Sequence, residues 1–483
     1  MFYLHGSFLL YLLSMLLIGF YFYRRTTSTS DYILGSRNLP PSVAALSAGA
    51  SDLSGWALMG LPGAIYIGGL SNLWIVLFTL MGVYVNWKFI APKLRVMTEK
   101  LGDAQTIPEY LQNRFNDQSN ILRLTSSAVT LVFFTFYVAA GLSGGAVLFE
   151  NTFGIDYHTA LLVGGIVIVS YTFLGGYLAV CWTDFFQGLM MALSLLVVAL
   201  ALFFVSNGDS GTASSAATSA AMVNAITLSD LRPDQGWFWG LLSLSGWCIG
   251  YLGQPHVLVR FMSVRSVEDI KISRRIAVIW TSITMISAVL VGFWGRSYFA
   301  DPLENGETIF IALSQAIFHP FVAGLIIAGV LASIMSTIDS QLLVCSSTLS
   351  EDFYRAYARP NASDKEVLNV ARMAVLVVAL IGFYLAYQKA DSTLLSMVAY
   401  AWGGFGASFG PVILFSLFWK KMTSLAAISG LIVGSVVALI WNQNQGGIFD
   451  LFGVVPGFIT ASLTIIAITQ YQTMKATNTE TAY

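Results

Sequence analysis

The sequence predicts an all-α polytopic membrane protein, and three observations predict it: few charges, long gaps between them, and high hydropathy. Charged residues make up 10% of the 483 residues, against about 25% in soluble proteins. Hydrophobic residues make up 56%, and the mean hydropathy is +0.72. Uncharged stretches run over 308–338, 392–419 and 422–449. Each exceeds the roughly 20 apolar residues that cross a bilayer as a helix, so a soluble fold is excluded.

Apolar runs bounded by charges or by Gly, Pro and Asn predict about thirteen transmembrane helices. We place these spans at 3–23, 40–69, 72–96, 120–149, 157–178, 182–206, 236–262, 275–299, 308–347, 370–388, 392–419, 423–442 and 449–471. The spans 40–69 and 308–347 are too long for single straight helices and are expected to break or tilt. The stretch 207–218 has the composition of a flexible external loop.

The basic residues predict the orientation of this layout. With the N-terminus outside, all 24 Lys and Arg residues except Arg232, Arg296 and Lys389 fall on one side of the membrane, and Arg260 is among them. Cytoplasmic loops are enriched in Lys and Arg, so that side is the cytoplasm. We therefore expect a multi-pass protein of the cell membrane with its C-terminus in the cytoplasm.

Motifs for several other functions are missing from the sequence. It has no GxxxxGK[ST] phosphate loop, no HExxH pair and no paired His or Cys spacing. The four histidines are scattered singly and are expected at span ends. A net charge of −1 excludes a nucleic-acid binder that works through bulk charge. These observations favour a non-enzymatic protein that transports a solute by using a pre-existing gradient or conducts it passively. We do not expect this function to require an oligomer.

Three carboxylates, Asp52, Asp184 and Asp339, lie inside spans, where an ionised side chain is costly and marks a functional site. Asp52 lies in the run SAGASDLSGW (47–56), whose Gly and Ser residues favour unwinding and free carbonyl oxygens for a cation. The run SGWCIGYLGQP (245–255) has the same character. Each carboxylate could instead be the structural partner of an arginine.

These two interrupted runs lie in spans two and seven, which are five positions apart in the order of spans. This pattern indicates an inverted-repeat transporter with its site at the repeat interface. The repeats would be spans two to six and seven to eleven, in one transporter domain over 1–483. The expected divisions are a peripheral first span (3–23), a first repeat (40–206), a second repeat (236–419), two peripheral spans (423–471) and a cytoplasmic tail (472–483).

One face of span nine carries several hydroxyl groups. Ser333, Ser336, Thr337 and Ser340 are three, four and seven residues apart, so they share a helix face beside Asp339. Oxygen ligands are what a hard cation requires. The same hydroxyls could also serve helix–helix hydrogen bonding.

Five long strings, in order along the chain, carry a resemblance to a known family. They are SAGASDLSGWALMGLPGA (47–64), WTDFFQ (182–187), GWCIGYLGQPHVLVRFM (246–262), MSTIDSQLLVCSS (335–347) and YAWGGFGASFGP (400–411). Together they resemble the sodium/solute symporter family, in particular its sodium/proline symporters. The resemblance implies thirteen spans, a LeuT-type inverted-repeat core and an external N-terminus. The implied function is uptake of L-proline together with the co-transported ion Na⁺ by alternating access.

The resemblance also implies site residues. The main sodium site would use the carbonyls of Ala50, Leu53 and Ser333 and the hydroxyls of Ser336 and Thr337. Proline would bind against Gly55, Trp56, Tyr137, Trp247, Tyr251 and Pro255, and Asp52 and Ser54 would couple ion and substrate.

Some family members bind a further sodium through positions that match Asp184, Ser336, Asp339 and Ser340. Position 339 is a carboxylate here, and we hypothesise a second cation site at these residues. Four alternatives remain open: another small solute, a transporter-like membrane sensor, a channel, and coupling to protons instead of Na⁺.

Overall fold

The computed structural model describes residues 2–23, 29–174, 176–207, 227–299, 301–388 and 393–480. Within these ranges the chain is helical and forms no β-strand. The helices are α1 (Phe2–Tyr23), α2 (Thr29–Leu34), α3 (Pro41–Gly55), α4 (Leu61–Gly68), α5 (Leu73–Val85), α6 (Ala91–Lys100), α7 (Ile107–Phe115), α8 (Ile121–Phe153), α9 (Tyr157–Leu174), α10 (Tyr177–Asn207), α11 (Trp237–Leu244), α12 (Gly246–Ile249), α13 (Pro255–Ser263), α14 (Val267–Gly295), α15 (Ile309–Ile317), α16 (Pro320–Ser347), α17 (Asp364–Tyr387), α18 (Leu394–Phe418), α19 (Ser424–Gln443) and α20 (Val454–Glu480).

Ten helical stretches of the described residues are long and apolar enough to cross a membrane. The all-α membrane fold is therefore confirmed, while the count of thirteen spans stays a prediction. Several helices begin or end beyond the predicted spans, because a search for apolar runs discards the charged ends of helices. Thus α17 begins at Asp364 and α14 at Val267. The predicted external loop 207–218 lies outside the described residues apart from Asn207.

Both overlong spans are broken. The first contains α3 and α4, joined by a π-helical turn at Trp56–Gly60. Ser54 has φ 35° and ψ −168°, a conformation that few non-glycine residues adopt. In the second overlong span, α15 ends at Ile317 and α16 starts at Pro320. Proline at a first helical turn is favourable, because that position needs no backbone donor.

The run 245–255 is interrupted as expected. After α12 the chain forms a 3₁₀ turn at Gly250–Gly253, and Gln254 is extended before α13 begins. The Gln254 side chain donates to the carbonyls of Gly250 and Trp402, both at 3.0 Å, which satisfies oxygens that the interruption frees. Gly253 packs directly on α18, since a Cβ there would lie 2.4 Å from the Phe405 carbonyl oxygen. A glycine is therefore required for this approach.

Helix α16 is the centre of the molecule. It packs against α1, α3, α8, α10 and α17. Every residue from Ala323 to Ser347 except Leu325 is buried. Its hydroxyl-bearing face is therefore surrounded by protein and not by lipid.

Helix ends and short connections that the layout places on one side of the membrane contact one another. Leu39, before α3, pairs with Val264, after α13, in an isolated parallel bridge. Arg37 donates to the Met262 carbonyl at 2.9 Å, and Arg95 donates to the Val264 carbonyl at 2.6 Å. The two interrupted segments are thus joined at this end of the molecule.

Candidate ion and substrate site

The hydroxyls of α16 meet α3 at the predicted main sodium site. Ser336 Oγ donates to the Ala50 carbonyl at 3.0 Å, and Thr337 Oγ1 lies 3.5 Å from the same oxygen. Both hydroxyls also reach the carbonyl of Ser333, at 3.1 and 3.0 Å. The structure therefore brings together two hydroxyls and two carbonyls, which is the oxygen-rich surrounding that a hard cation prefers.

Leu53 and Ser54 lie at the break in the same segment. The Leu53 carbonyl accepts a hydrogen bond from the Trp56 N–H, and Ser54 Oγ lies 3.4 Å from the same nitrogen. Because Ser54 has a positive φ, the helix axis is interrupted at this point and the chain direction changes. The predicted site residues of this segment thus lie beside a kink at Ser54, where α3 meets the π-helical turn Trp56–Gly60.

Tryptophans from three elements form one wall of the predicted substrate site. The ring centroids of Trp56 and Trp247 are 5.0 Å apart, and those of Trp247 and Trp402 are also 5.0 Å apart. Tyr251 lies with its ring centroid 6.5 Å from that of Trp402. Such a wall offers an apolar aromatic surface to a small ring.

The predicted substrate residues do not all join this wall. Pro255 starts α13 and lines a narrow cavity together with Tyr177 and Arg260. Gly55 instead contacts α16 and α18, where a Cβ would lie 3.0 Å from Ile334 and 3.3 Å from Leu394.

Asp52 lies among these aromatic side chains. Its backbone carbonyl accepts hydrogen bonds from the Trp56 indole at 3.2 Å and from the Tyr137 hydroxyl at 3.4 Å. Its carboxylate accepts one from the Trp402 indole at 3.1 Å. Asp52 is 1% exposed, so the carboxylate is removed from water. The residue expected to couple ion and substrate therefore contacts the substrate wall while lying two residues from Ala50.

The site is covered from both ends. Trp56, Tyr137 and Tyr251 are each 1% exposed. On one side Leu394 lies over Gly55, and the Glu307 carboxylate accepts hydrogen bonds from the backbone N–H groups that begin α18. At the other end of α3, Leu39 pairs with Val264, which follows α13.

A second polar cluster surrounds the residues of the hypothesised second cation site. Asp184 Oδ2 accepts hydrogen bonds from Ser47 at 2.7 Å, Arg260 at 3.2 Å and Ser340 at 3.4 Å. Arg260 also donates to Ser47 at 3.1 Å and to Ser340. Arg260, which the layout counts among the cytoplasmic-side cations although it lies inside span 236–262, is fully buried. Its guanidinium neutralises the charge of Asp184.

Asp339 differs from Asp184 in its surroundings. It is fully buried, and neither carboxylate oxygen has a hydrogen-bond partner among the residues that the structure describes. The second oxygen of Asp184, Oδ1, is likewise without one. A buried charge without a partner is very costly, so this region needs one further positive charge or a proton.

A sequence model of the sodium:solute symporter family matches residues 32–434. The chain belongs to the sodium:solute symporter family. It is 48% identical to the high-affinity proline transporter PutP of Bacillus subtilis over 455 residues, which cover 93% of this chain and 94% of that one. It is 44% identical to the sodium/proline symporter of Escherichia coli, with 95% and 91% covered. The symporter of Staphylococcus aureus with the same name is 43% identical, with 93% and 89% covered.

Solved structures share the fold of this symporter. A Na⁺-coupled sialic acid symporter superposes with a TM-score of 0.81 at 22% identity, over 98% of both chains. A transporter of the nucleobase-cation-symport-1 family superposes with a TM-score of 0.56 at 12% identity, over 92% of this chain and 96% of that one. The apolar helices and the solved structures thus support the multi-pass membrane fold, and the family match supports the transporter class.

Sequence reasoning gave no role to three residues that the structure places in the two candidate sites. Trp402 lies in the string YAWGGFGASFGP but had no predicted role, and Arg260, inside span 236–262, was counted only as a cytoplasmic-side cation. His256 was expected at a span end, yet it is 0% exposed and its Nε2 lies 3.6 Å from Asp52 Oδ1. For Arg260 a signal existed, because any cation inside a span is a candidate for a functional or structural ion pair.

Proposed function

We propose that this protein is a secondary active symporter that takes up L-proline together with Na⁺ across the cell membrane. The observation that carries the proposal is the Ser336–Ala50 contact at 3.0 Å, which joins α16 to the broken α3 beside the tryptophan wall. An ion held there would stabilise the unwound turn that also supplies Trp56 and Asp52. The names of relatives at 43–48% identity support proline and sodium as the transported pair.

The mechanism follows from this arrangement. Na⁺ would bind the oxygens of Ala50, Leu53, Ser333, Ser336 and Thr337 and fix the unwound segment. Proline would then bind beside the tryptophans, whose aromatic faces suit its compact apolar ring. Binding energy at the two sites favours the closed form, and opening on the other side releases both solutes. Because the ion orders a segment of the substrate site, each ligand raises the affinity for the other.

The orientation and repeat structure belong to the same proposal. The N-terminus lies outside and the C-terminus lies in the cytoplasm, because this arrangement places nearly all basic residues inside. The repeats 40–206 and 236–419 would each contribute one interrupted segment to the site. The outer cover is then the contact of Glu307 with the start of α18, and the inner cover is the Leu39–Val264 pairing.

Transport in proteoliposomes tests this function. An inward Na⁺ gradient should drive accumulation of labelled L-proline, and an equal K⁺ gradient should not. Counterflow with a panel of sugars, organic anions and other amino acids should show competition mainly by proline. Accumulation that is independent of Na⁺, or counterflow in which proline does not compete with itself, would reject the proposal.

We further propose that Asp184, Asp339, Ser336 and Ser340 form a second cation site. Arg260 already neutralises Asp184, so the cluster has room for one added positive charge, not two. Asp339→Ala should therefore lower the number of co-transported cations per proline by one, while Asp339→Ser keeps an oxygen ligand and should change it less. Charge movement and labelled proline flux, measured together with Na⁺ and pH indicators, give the ratio. An unchanged ratio in Asp339→Ala removes Asp339 from any ion site.

A further inference from the structure

Among the residues that the structure describes, no lysine or arginine pairs with the buried Asp52 carboxylate, and His256 Nε2 lies 3.6 Å from it. This carboxylate accepts a hydrogen bond from the neutral indole of Trp402, at 3.1 Å. The buried guanidinium of Arg260 donates instead to Asp184 and Ser47. The predicted ligands of the main sodium site are carbonyls and hydroxyls and do not include this carboxylate. A carboxylate that is 1% exposed requires a positive charge from a ligand.

His256 presents a second unsatisfied group at the same place. Both imidazole nitrogens are buried and have no hydrogen-bond partner in the described part of the chain. The ring is held by Phe134 and Tyr137, with centroid distances of 5.6 and 6.3 Å. The backbone carbonyl of His256 accepts a hydrogen bond from Arg260 at 2.9 Å, which fixes the start of α13. A buried polar side chain held this firmly without a partner requires an explanation.

The spacing of these two groups suits one kind of ligand. Asp52 Oδ1 and His256 Nε2 are 3.6 Å apart, which is too long for a hydrogen bond between them. A nitrogen at about 2.8 Å from each atom can donate one N–H to the carboxylate and one to the imidazole. A secondary ammonium group has two N–H donors, whereas a primary ammonium has a third that the aromatic surroundings would leave unsatisfied.

We propose that Asp52 and His256 bind the secondary ammonium group of the substrate. This inference rests on the proposed function and extends it, because it names the partners of the charged amine of proline and a reason for preferring an imino acid. The carboxylate provides the countercharge, and His256 Nε2 accepts the second N–H. Trp402 is a positioning residue, since its indole orients the Asp52 carboxylate toward this point.

The test compares L-proline with (S)-tetrahydro-2-furoic acid, in which an oxygen replaces the ammonium in a ring of the same shape. Competition binding to the purified full-length protein at saturating Na⁺ gives the preference for proline. The wild type should prefer proline by at least about 1000-fold, as sites built around a buried hydrogen-bonding group do. Asp52→Asn should reduce this preference by about 100-fold or more, and His256→Phe by about tenfold.

The outcomes separate the inference from the function it rests on. If the wild type binds no proline, the proposed function fails. If it binds proline but either variant keeps the wild-type preference, the ammonium site is wrong while the transport function stands. If Asp52→Asn loses one bound Na⁺ and keeps its preference, the carboxylate serves an ion and the inference is overturned. Should Asp52→Asn bind neither ligand, His256→Phe decides, and Trp402→Phe should reduce the preference less than Asp52→Asn does.

Discussion

Replacing Ser336 and Thr337 together by alanine will lower the sodium affinity of the protein by at least about 100-fold. The two hydroxyls lie 3.0 and 3.5 Å from the Ala50 carbonyl and supply two of the oxygens of the proposed main site. An interaction with a charged group contributes about 1.5–3 kcal/mol, and about 1.4 kcal/mol corresponds to a factor of ten. The Na⁺ dependence of proline binding to purified protein measures the shift.

Ser333→Ala is the matched control for this pair. Ser333 would contribute its backbone carbonyl, while its hydroxyl donates to the Val330 carbonyl at 2.7 Å within α16. The substitution removes that hydroxyl and keeps the carbonyl, so the sodium affinity should change by less than about threefold, or about 0.6 kcal/mol. A large loss in Ser333→Ala, or wild-type affinity in the double variant, would mean that the ion binds elsewhere.

Arg260→Met will destabilise the folded protein by about 3–5 kcal/mol, because it leaves the Asp184 carboxylate buried without its countercharge. Thermal unfolding in detergent, followed by tryptophan fluorescence, measures the loss. Adding Asp184→Leu should restore most of the stability, since the uncompensated charge is then gone. The double variant should still lack normal transport if the cluster is part of an ion site.

Arg265→Met is the control for Arg260→Met, because it removes an arginine from an ion pair at the surface. Arg265 pairs with Asp269, but its side chain is 53% exposed, so the pair contributes only about 0–1 kcal/mol. The two arginines are five residues apart and each pairs with an aspartate, but Arg260 is fully buried and Arg265 is exposed. If Arg260→Met were as mild as Arg265→Met, the buried ion pair would not stabilise the fold.

Composition alone was enough to locate the breaks and the buried carboxylates. The Gly and Ser residues of 47–56 weaken a helix wherever they occur, and the structure interrupts this segment at Ser54. Asp52, Asp184 and Asp339 stand out because lipid excludes charge, and all three are at most 1% exposed. These features follow from local chemistry and do not depend on how the helices pack.

The partners of those carboxylates could not be predicted in the same way. Trp402 and Asp52 are 350 residues apart, and their contact depends on which face of α18 meets α3. When a helix carries apolar residues on every face, their spacing in the sequence does not indicate which face packs against which neighbouring helix. His256 and Arg260 were missed for a related reason, because both lie near the end of an apolar run and were assigned to its edge.

Binding of labelled L-proline to the purified protein in NaCl or in KCl at equal ionic strength tests the central claim most directly. We expect saturable binding in NaCl and at least about tenfold weaker binding in KCl, because the ion orders the segment that carries Asp52 and Trp56. Equal binding in both salts, or no saturable binding of proline in either, would contradict a sodium-coupled proline site in this fold.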